Sequence, residues 1–244
     1  MSTKSNKKGR PKIPATKQST VKNNVLKEFP MSIGIVVYNE EERLPAWLEF
    51  HKYAKIYLID QASTDRTQEI ARSYKNVNYI SMERFERLGE PHYNMLYQIR
   101  PQEWLFRIDV DEFVSEPIFR KVNKKANEML RTFDVRALMI HRKNFWDAEE
   151  IVDLYKSPDD PLGRDWQFRI ALGPVLVFEN VPHRHPNPLA PWAYLNEEMY
   201  MEHRKTKESD RKSATMRDGM CYGPGVHRDK SVQTLISQRE KGEI

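Results

Sequence analysis

The chain has 244 residues, 39% hydrophobic and 31% charged, with 40 Lys or Arg against 35 Asp or Glu. That length supports one α/β core and leaves room for a variable second part. A lone cysteine, Cys221, excludes an internal disulfide framework and fits a reducing compartment; no apolar run reaches the length of a membrane span, and the N-terminus is too polar for a secretory signal, so a soluble, cytoplasmic protein is expected.

Charge is uneven along the chain. Residues 1–27 hold eight Lys or Arg and no acid, which leaves 32 basic against 35 acidic residues in the rest. This segment is rich in Ser, Thr, Asn and Pro and lacks aromatics, so it cannot bury enough apolar surface to offset its ordering entropy, and a disordered basic tail is predicted over residues 1–29. Within it, Lys8-Gly9-Arg10-Pro11-Lys12 resembles the Gly-Arg-Pro core of minor-groove-binding AT-hooks, with Lys in place of Arg before the glycine. A solubilising or tethering tail and a DNA contact are both compatible with it.

The first strand is Ser32 to Val37, ending in Tyr38-Asn39-Glu40-Glu41-Glu42. Leu44, Trp47, Leu48 and His51 then recur at helical spacing and supply a crossover helix. A second strand, Lys55 to Asp60, runs into Gln61-Ala62-Ser63-Thr64-Asp65. There Ser63-Thr64-Asp65 offers a helix N-cap, with Ile70 and Ala71 on the buried side of the helix that follows. Val77-Asn78-Tyr79-Ile80 reads as a third strand and Trp104 to Asp109 as a fourth, which ends in Asp109-Val110-Asp111-Glu112-Phe113.

Apolar strands that each finish in a carboxylate or amide are what a parallel α/β sheet produces, because ligands bind beyond the carboxyl ends of its strands. In an extended strand, residues i and i+2 point to one side, so Asp109 and Asp111 are expected to converge on one hard cation. An isolated Asp-x-Asp is more often a solvated turn; here it follows two other acidic strand ends.

Val37-Tyr38-Asn39-Glu40, then Asp60-Gln61-Ala62-Ser63-Thr64-Asp65-Arg66-Thr67, then Asp109-Val110-Asp111-Glu112-Phe113 resembles the motif series of family 2 glycosyltransferases with the GT-A fold. The branch with an Asp-x-Asp-Glu-Phe motif also carries a Trp-Leu-x-x-His element, here Trp47-Leu48-Glu49-Phe50-His51. The resemblance is specific from about Met31 to Val114. It implies a GT-A nucleotide-sugar-binding fold with a mostly parallel central sheet flanked by helices over residues 30–230, and residues 231–244 are taken as a C-terminal tail.

The resemblance implies a nucleotide-diphosphate sugar donor, Mn2+ or Mg2+, and inversion at the anomeric carbon. Asp111 would be the direct metal ligand, with Asp109 on the ribose hydroxyl or a metal-bound water. Tyr38, Asn39, Glu40, Asp60 and Asp65 would line the nucleotide-sugar site. Arg164-Asp165-Trp166-Gln167-Phe168-Arg169-Ile170 resembles this branch's Asp-Trp-Gln-x-Arg segment and is followed by a strand, Val175 to Phe178. Asp165 is therefore the first candidate for the general base. Where many relatives show Val-His-Glu, this chain has Val181-Pro182-His183-Arg184-His185; the missing glutamate makes His183, with His185, the alternative. His203 resembles the late histidine that closes the nucleotide site, able to bind the metal or the diphosphate, before a basic helix with Lys207, Arg211, Lys212 and Arg217. His141 reads as structural, at the end of a strand from Val135 to Ile140.

Other functions fit less well. A haloacid-dehalogenase-type phosphatase would want its Asp-x-Asp near the start of the domain, followed by Thr or Val. A nucleotidyltransferase would want a Gly-rich loop where Asn39-Glu40-Glu41-Glu42 stands. A non-catalytic DNA-binding protein would account for the tail but not for three acidic strand ends. The acceptor stays open among glycan, protein, small molecule and hydroxymethylated DNA, and a glycosyltransferase acting on hydroxymethylated bases is the alternative reading.

Overall fold

The computed structural model describes residues 28–84, 90–147, 149–150, 165–178 and 186–206. Strands β1 (Met31–Val37), β2 (Ile56–Asp60), β3 (Val77–Ser81) and β4 (Trp104–Arg107) alternate with helices α1 (Leu44–Phe50), α2 (Thr67–Ser73) and α3 (Glu90–Ile99). The four strands pair in parallel in the order β3-β2-β1-β4, the βαβ arrangement expected from the strand and helix patterns.

β2 is buried at every residue and β1 at all but Val36, as parallel strands covered on both faces must be. On one face Ile33, Ile35 and Leu58 pack with Leu44, Trp47 and Leu48 of α1 and with Trp104 and Phe106. On the other, Tyr57, Ile59 and Leu105 pack with Leu96 and Tyr97 of α3. Complete burial of an aromatic ring such as Phe106 contributes about 2–3 kcal/mol. Gly34 lets β1 approach β4, since a Cβ there would meet Leu105 at 3.0 Å.

The second part comprises β5 (Glu112–Phe113), α4 (Glu116–Phe133), β6 (Ala137–Trp146), β7 (Glu149–Glu150), β8 (Asp165–Leu172), β9 (Leu176–Val177), β10 (Asn187–Pro188), β11 (Trp192–Tyr194) and β12 (Tyr200–Lys205). The sheet continues from β4 through β8, β6 and β12 to β5, with β7 and β11 also on β6. Here pairing is mixed: β8 is antiparallel to both β4 and β6, whereas β12 is parallel to β6 and antiparallel to β5. The first four strands are wholly parallel, and parallel pairing recurs in the second part where β11 and β12 meet β6. Helix α4 buries Phe119, Val122 and Ala126, an i, i+3, i+7 stripe, and stops at Asp134, which is left-handed (φ 51°).

Three local expectations are corrected. The strand at Val135–Ile140 does not end at His141 but runs on to Trp146, because β8 and then β12 supply partners along its whole length. The strand at Val175–Phe178 shrinks to Leu176–Val177, which pairs with β10. The Asp-x-Asp segment is not extended: β4 stops at Arg107, and the Glu112 N–H donates to the Asp109 carbonyl (2.9 Å), closing a turn. Asp109 and Asp111 consequently face different partners.

Candidate active site

The site lies beyond the carboxyl ends of β1, β2 and β4. The loops after β1 and β2 lock together through backbone donors and short side chains. Asn39 N–H donates to Ser63 Oγ (2.9 Å), and Thr64 N–H to Asn39 Oδ1 (2.8 Å). Asn39 and Ala62 are both left-handed, at φ 53° and 56°. Asp65 accepts from the Thr67 and Glu41 N–H groups (2.9 and 3.1 Å); burial would raise its pKa, but these bonds outweigh it and the net shift is downward. Asp65 therefore both opens α2 and ties it to the β1 loop.

Asp60 is buried and accepts from Ser63 N–H (3.0 Å) and from the hydroxyls of Ser63 (2.5 Å) and Tyr79 (2.6 Å). Glu40 takes a two-pronged bond from Arg43 (2.8 and 2.6 Å). Burial raises its pKa and Arg43 opposes this, while negative Asp111 and Asp65 add to the rise, so Glu40 and Asp111 sense each other across the site. Tyr38 lies under the Arg84 guanidinium, 3.7 Å from ring centre to Cζ.

The Trp-Leu-x-x-His element explains itself once the acidic segment is in place. Trp47 Nε1–H donates to the Glu112 carbonyl (2.9 Å), and the Val114 N–H donates to His51 Nε2 (3.3 Å), whose Nδ1–H is thereby left to bond the Trp47 carbonyl (2.9 Å). The Tyr53 hydroxyl donates to the Val114 carbonyl. Helix α1 thus grips the residues directly after Asp111. Phe113 stacks on His51 and lies under Arg204.

Asp109 turns toward cations: Arg169 Nη1 donates to Oδ2 (2.9 Å) and Arg107 Nη1 to Oδ1 (3.3 Å). Burial opposes its ionisation, but Arg169 and Arg107 prevail and hold the carboxyl well below the usual carboxylate range. Asp111 instead meets His203, brought there by β12, whose His203 pairs with Glu112 of β5 and whose Arg204 N–H donates to the Asp111 carbonyl (2.8 Å). His203 Nε2 stands 3.3 Å from Asp111 Oδ2, and this histidine outweighs burial to lower the Asp111 pKa.

Among the described residues no three His, Cys, Asp or Glu side chains gather as a ready-made metal cluster. The Asp111–His203 pair nevertheless fits two adjacent positions on an octahedral cation, since such ligands, with bonds of about 2.1 Å, stand about 3 Å apart. A magnesium-like ion ordinarily takes one or two carboxylates and fills its other positions with water and substrate phosphates.

Asp165 lies at the start of β8, 5% exposed, and accepts from Arg142 Nε (2.5 Å), Gln167 Nε2 (2.5 Å) and Asn144 Nδ2 (3.5 Å). Glu112, wholly buried, accepts from Arg169 Nη2 (2.5 Å), Arg142 Nη1 (3.2 Å) and the Asp109 N–H (2.9 Å). His183, His185, Lys207, Arg211, Lys212, Arg217, Cys221 and the basic tail lie outside the described residues. Arg107, Arg142 and Asn144 were not anticipated. Arg142 and Asn144 acquire their roles from residues opposite them on neighbouring strands, Asp165 and His203, whereas Arg107 acts on Asp109 two residues further on.

Residues 32–147 match the family model Glycosyl transferase family 2. That region, just under half of the chain, is similar to the family 2 glycosyltransferases. The glycosyltransferase fold extends past it: S. aureus TarS 1–349 in complex with UDP-GlcNAc superposes with a TM-score of 0.52 at 13% identity, over 87% of this chain and 73% of that one. S. aureus TarS 1–349 gives 0.51 at 12% identity over 87% and 72%. At this identity the likeness establishes the fold. No curated protein matches the sequence. Among the described residues no helix is long and apolar enough to cross a membrane.

Proposed function

We propose that this glycosyltransferase is metal-dependent and inverting, and moves a sugar from a nucleotide-diphosphate donor to an acceptor hydroxyl. The reading is carried by the meeting of Asp111 and His203 beyond β4, near enough to Glu40 of the β1 loop for the two carboxylates to interact. A uridine diphosphate sugar is the first donor to test, because TarS was solved with UDP-GlcNAc and with UDP.

Asp111 and His203 would hold the cation. Bound there, Mn2+ or Mg2+ would neutralise charge developing on the diphosphate as its bond to the sugar breaks. Tyr38, Asn39, Glu40, Asp60 and Asp65 would surround the nucleoside, and Asp109, already fixed by Arg107 and Arg169, would present its remaining lone pairs to the ribose or to a metal-bound water. In the transfer the acceptor oxygen bonds to the anomeric carbon while the bond from that carbon to the phosphate oxygen breaks, and the hydroxyl proton passes to a base.

Asp165 and His183 are the candidates for that base. Asp165 has its oxygens occupied by three donors, so an acceptor hydroxyl reaches it only by displacing one. Measuring turnover and nucleotide affinity of Asp165→Asn and His183→Ala separates them. The base is the residue whose loss lowers kcat by about two to four orders of magnitude with nucleotide binding little changed.

The metal reading is tested with Asp111→Asn. Removing one anionic ligand should abolish Mn2+-dependent binding of UDP and transfer, with Asp109→Asn milder. Calorimetry finding unchanged UDP affinity for Asp111→Asn in the presence of Mn2+ would overturn it.

A further inference from the structure

Asn144, on β6, is 6% exposed and stands between two residues of the site. Its Nδ2 faces Asp165 Oδ2 at 3.5 Å and its Oδ1 faces His203 Nδ1 at 2.7 Å. The two contacts determine each other. A carboxylate accepts and does not donate, so the amide edge turned to Asp165 is the NH2 group. The carbonyl oxygen is then the edge turned to His203, and a carbonyl can bond only a nitrogen that carries hydrogen. Nδ1 of His203 therefore carries a proton.

The consequence falls on the other ring nitrogen. In a neutral imidazole protonated at Nδ1, Nε2 carries a lone pair, and here it points at Asp111 Oδ2, 3.3 Å away. Acceptor facing acceptor is unfavourable, so Nε2 either donates a second proton to Asp111 or turns its lone pair to a metal cation lying between them. Histidine ligands of metals are commonly oriented in this manner, by a partner on the nitrogen that does not bind.

We infer that Asn144 is a positioning residue, which holds the His203 imidazole with its proton on Nδ1 and its Nε2 lone pair turned to the cation position beside Asp111. Asp165 in turn sets the orientation of the Asn144 amide, so the order of influence runs Asp165, Asn144, His203. The inference rests on the metal reading for its functional consequence but not for the tautomer.

The test uses the full chain. Nitrogen NMR of the His203 ring in metal-free protein, followed to alkaline pH so that the singly protonated ring is observed, reads the tautomer, and electron paramagnetic resonance of free Mn2+, in the presence of UDP, reads metal affinity. The expected result is an Nδ1–H tautomer in the unmodified chain, lost or mixed in Asn144→Leu, with Mn2+ affinity weakened about 10- to 100-fold. Exchanging the pair, Asn144→Asp together with Asp165→Asn, keeps an acceptor toward His203 and should retain both the tautomer and the affinity, whatever it does to turnover.

An Nε2–H tautomer in the unmodified chain overturns the inference. So does an Asn144→Leu chain that binds Mn2+ as tightly as the unmodified one while His203→Ala does not. If Asn144→Leu fails to fold, loss of the Nδ1–H tautomer in the exchanged pair overturns it instead. If His203→Ala itself leaves Mn2+ affinity unchanged, the metal reading fails, and the tautomer alone decides whether Asn144 positions His203.

Discussion

The two halves of the sheet build their parts of the site by opposite means. In the parallel half, the groups beyond β1 and β2 are held by short bonds between two neighbouring loops: Asn39 to Ser63 and Thr64, Asp65 to Glu41 and Thr67. In the mixed half, charged side chains from different strands hold one another: Arg169 on β8 with Asp109 and Glu112, Arg142 on β6 with Glu112 and Asp165, and Asn144 with His203. A loop-built site carries its instructions in contiguous residues. A site built from buried ions carries them in pairs far apart in sequence, and it depends far more on each member being present.

That dependence gives the largest expected effect. Glu112 is wholly buried with two arginines on its carboxylate. Glu112→Gln would take from each of Arg169 and Arg142 one of its two carboxylates, leaving Asp109 to the first and Asp165 to the second, and removing one partner from a buried ion network costs about 3–5 kcal/mol. Chemical denaturation should show a loss of that order. A comparable carboxylate change in the loop half, Glu41→Gln, should stay within about 0.5 kcal/mol, because Glu41 is exposed. Equal losses at the two positions would erase the distinction between the halves.

The same contrast explains what was legible in the sequence. The apolar runs of β1 to β4 and the spacing of Leu44, Trp47 and Leu48 are local signals, and the structure places strands and a helix there. The turn at Asp109–Glu112 was not legible, because alternation cannot reveal that Arg107 and Arg169 draw Asp109 one way while His203 draws Asp111 another. Helix α4 hides its apolar stripe among many charges. The junction of His203 with Asp111 depends on β12 pairing at once with β6 and β5, and pairing of that kind joins residues about ninety positions apart, beyond the reach of a motif.

His51 stands at the seam between the halves, on the helix that grips the acidic segment, and it supplies the next effect in size. Burial pushes its pKa down to about 4; the bond to the Trp47 carbonyl opposes this, and the positive charge of Arg204 adds to it. The unfolded chain takes up the proton near pH 6.5, whereas the folded chain resists until about pH 4. Between those values the unfolded state binds more protons, so stability falls as pH drops through this window, by up to about 3 kcal/mol from this group. Denaturation midpoints measured from pH 7 to pH 4 should therefore fall more steeply for the unmodified chain than for His51→Gln. Parallel curves would mean that His51 does not make the acidic segment sensitive to pH.

The smallest effect belongs to the loop half and concerns backbone rather than charge. Ala62 is exposed and left-handed at φ 56°, so its methyl group buries nothing while its backbone bears a cost of about 1–2 kcal/mol that glycine does not bear. Glycine returns part of this gain, because its unfolded chain has more freedom to lose. Ala62→Gly should therefore stabilise by about 0.5–1 kcal/mol and raise Tm by about 2 °C in a chain of this size. The neighbouring bonds of Ser63 and Thr64 to Asn39 do not involve the Ala62 side chain, so the loop keeps its shape and UDP affinity should not rise with stability. A chain that instead loses stability would show that rigidity at Ala62, and not only the bonds around it, holds the two loops together.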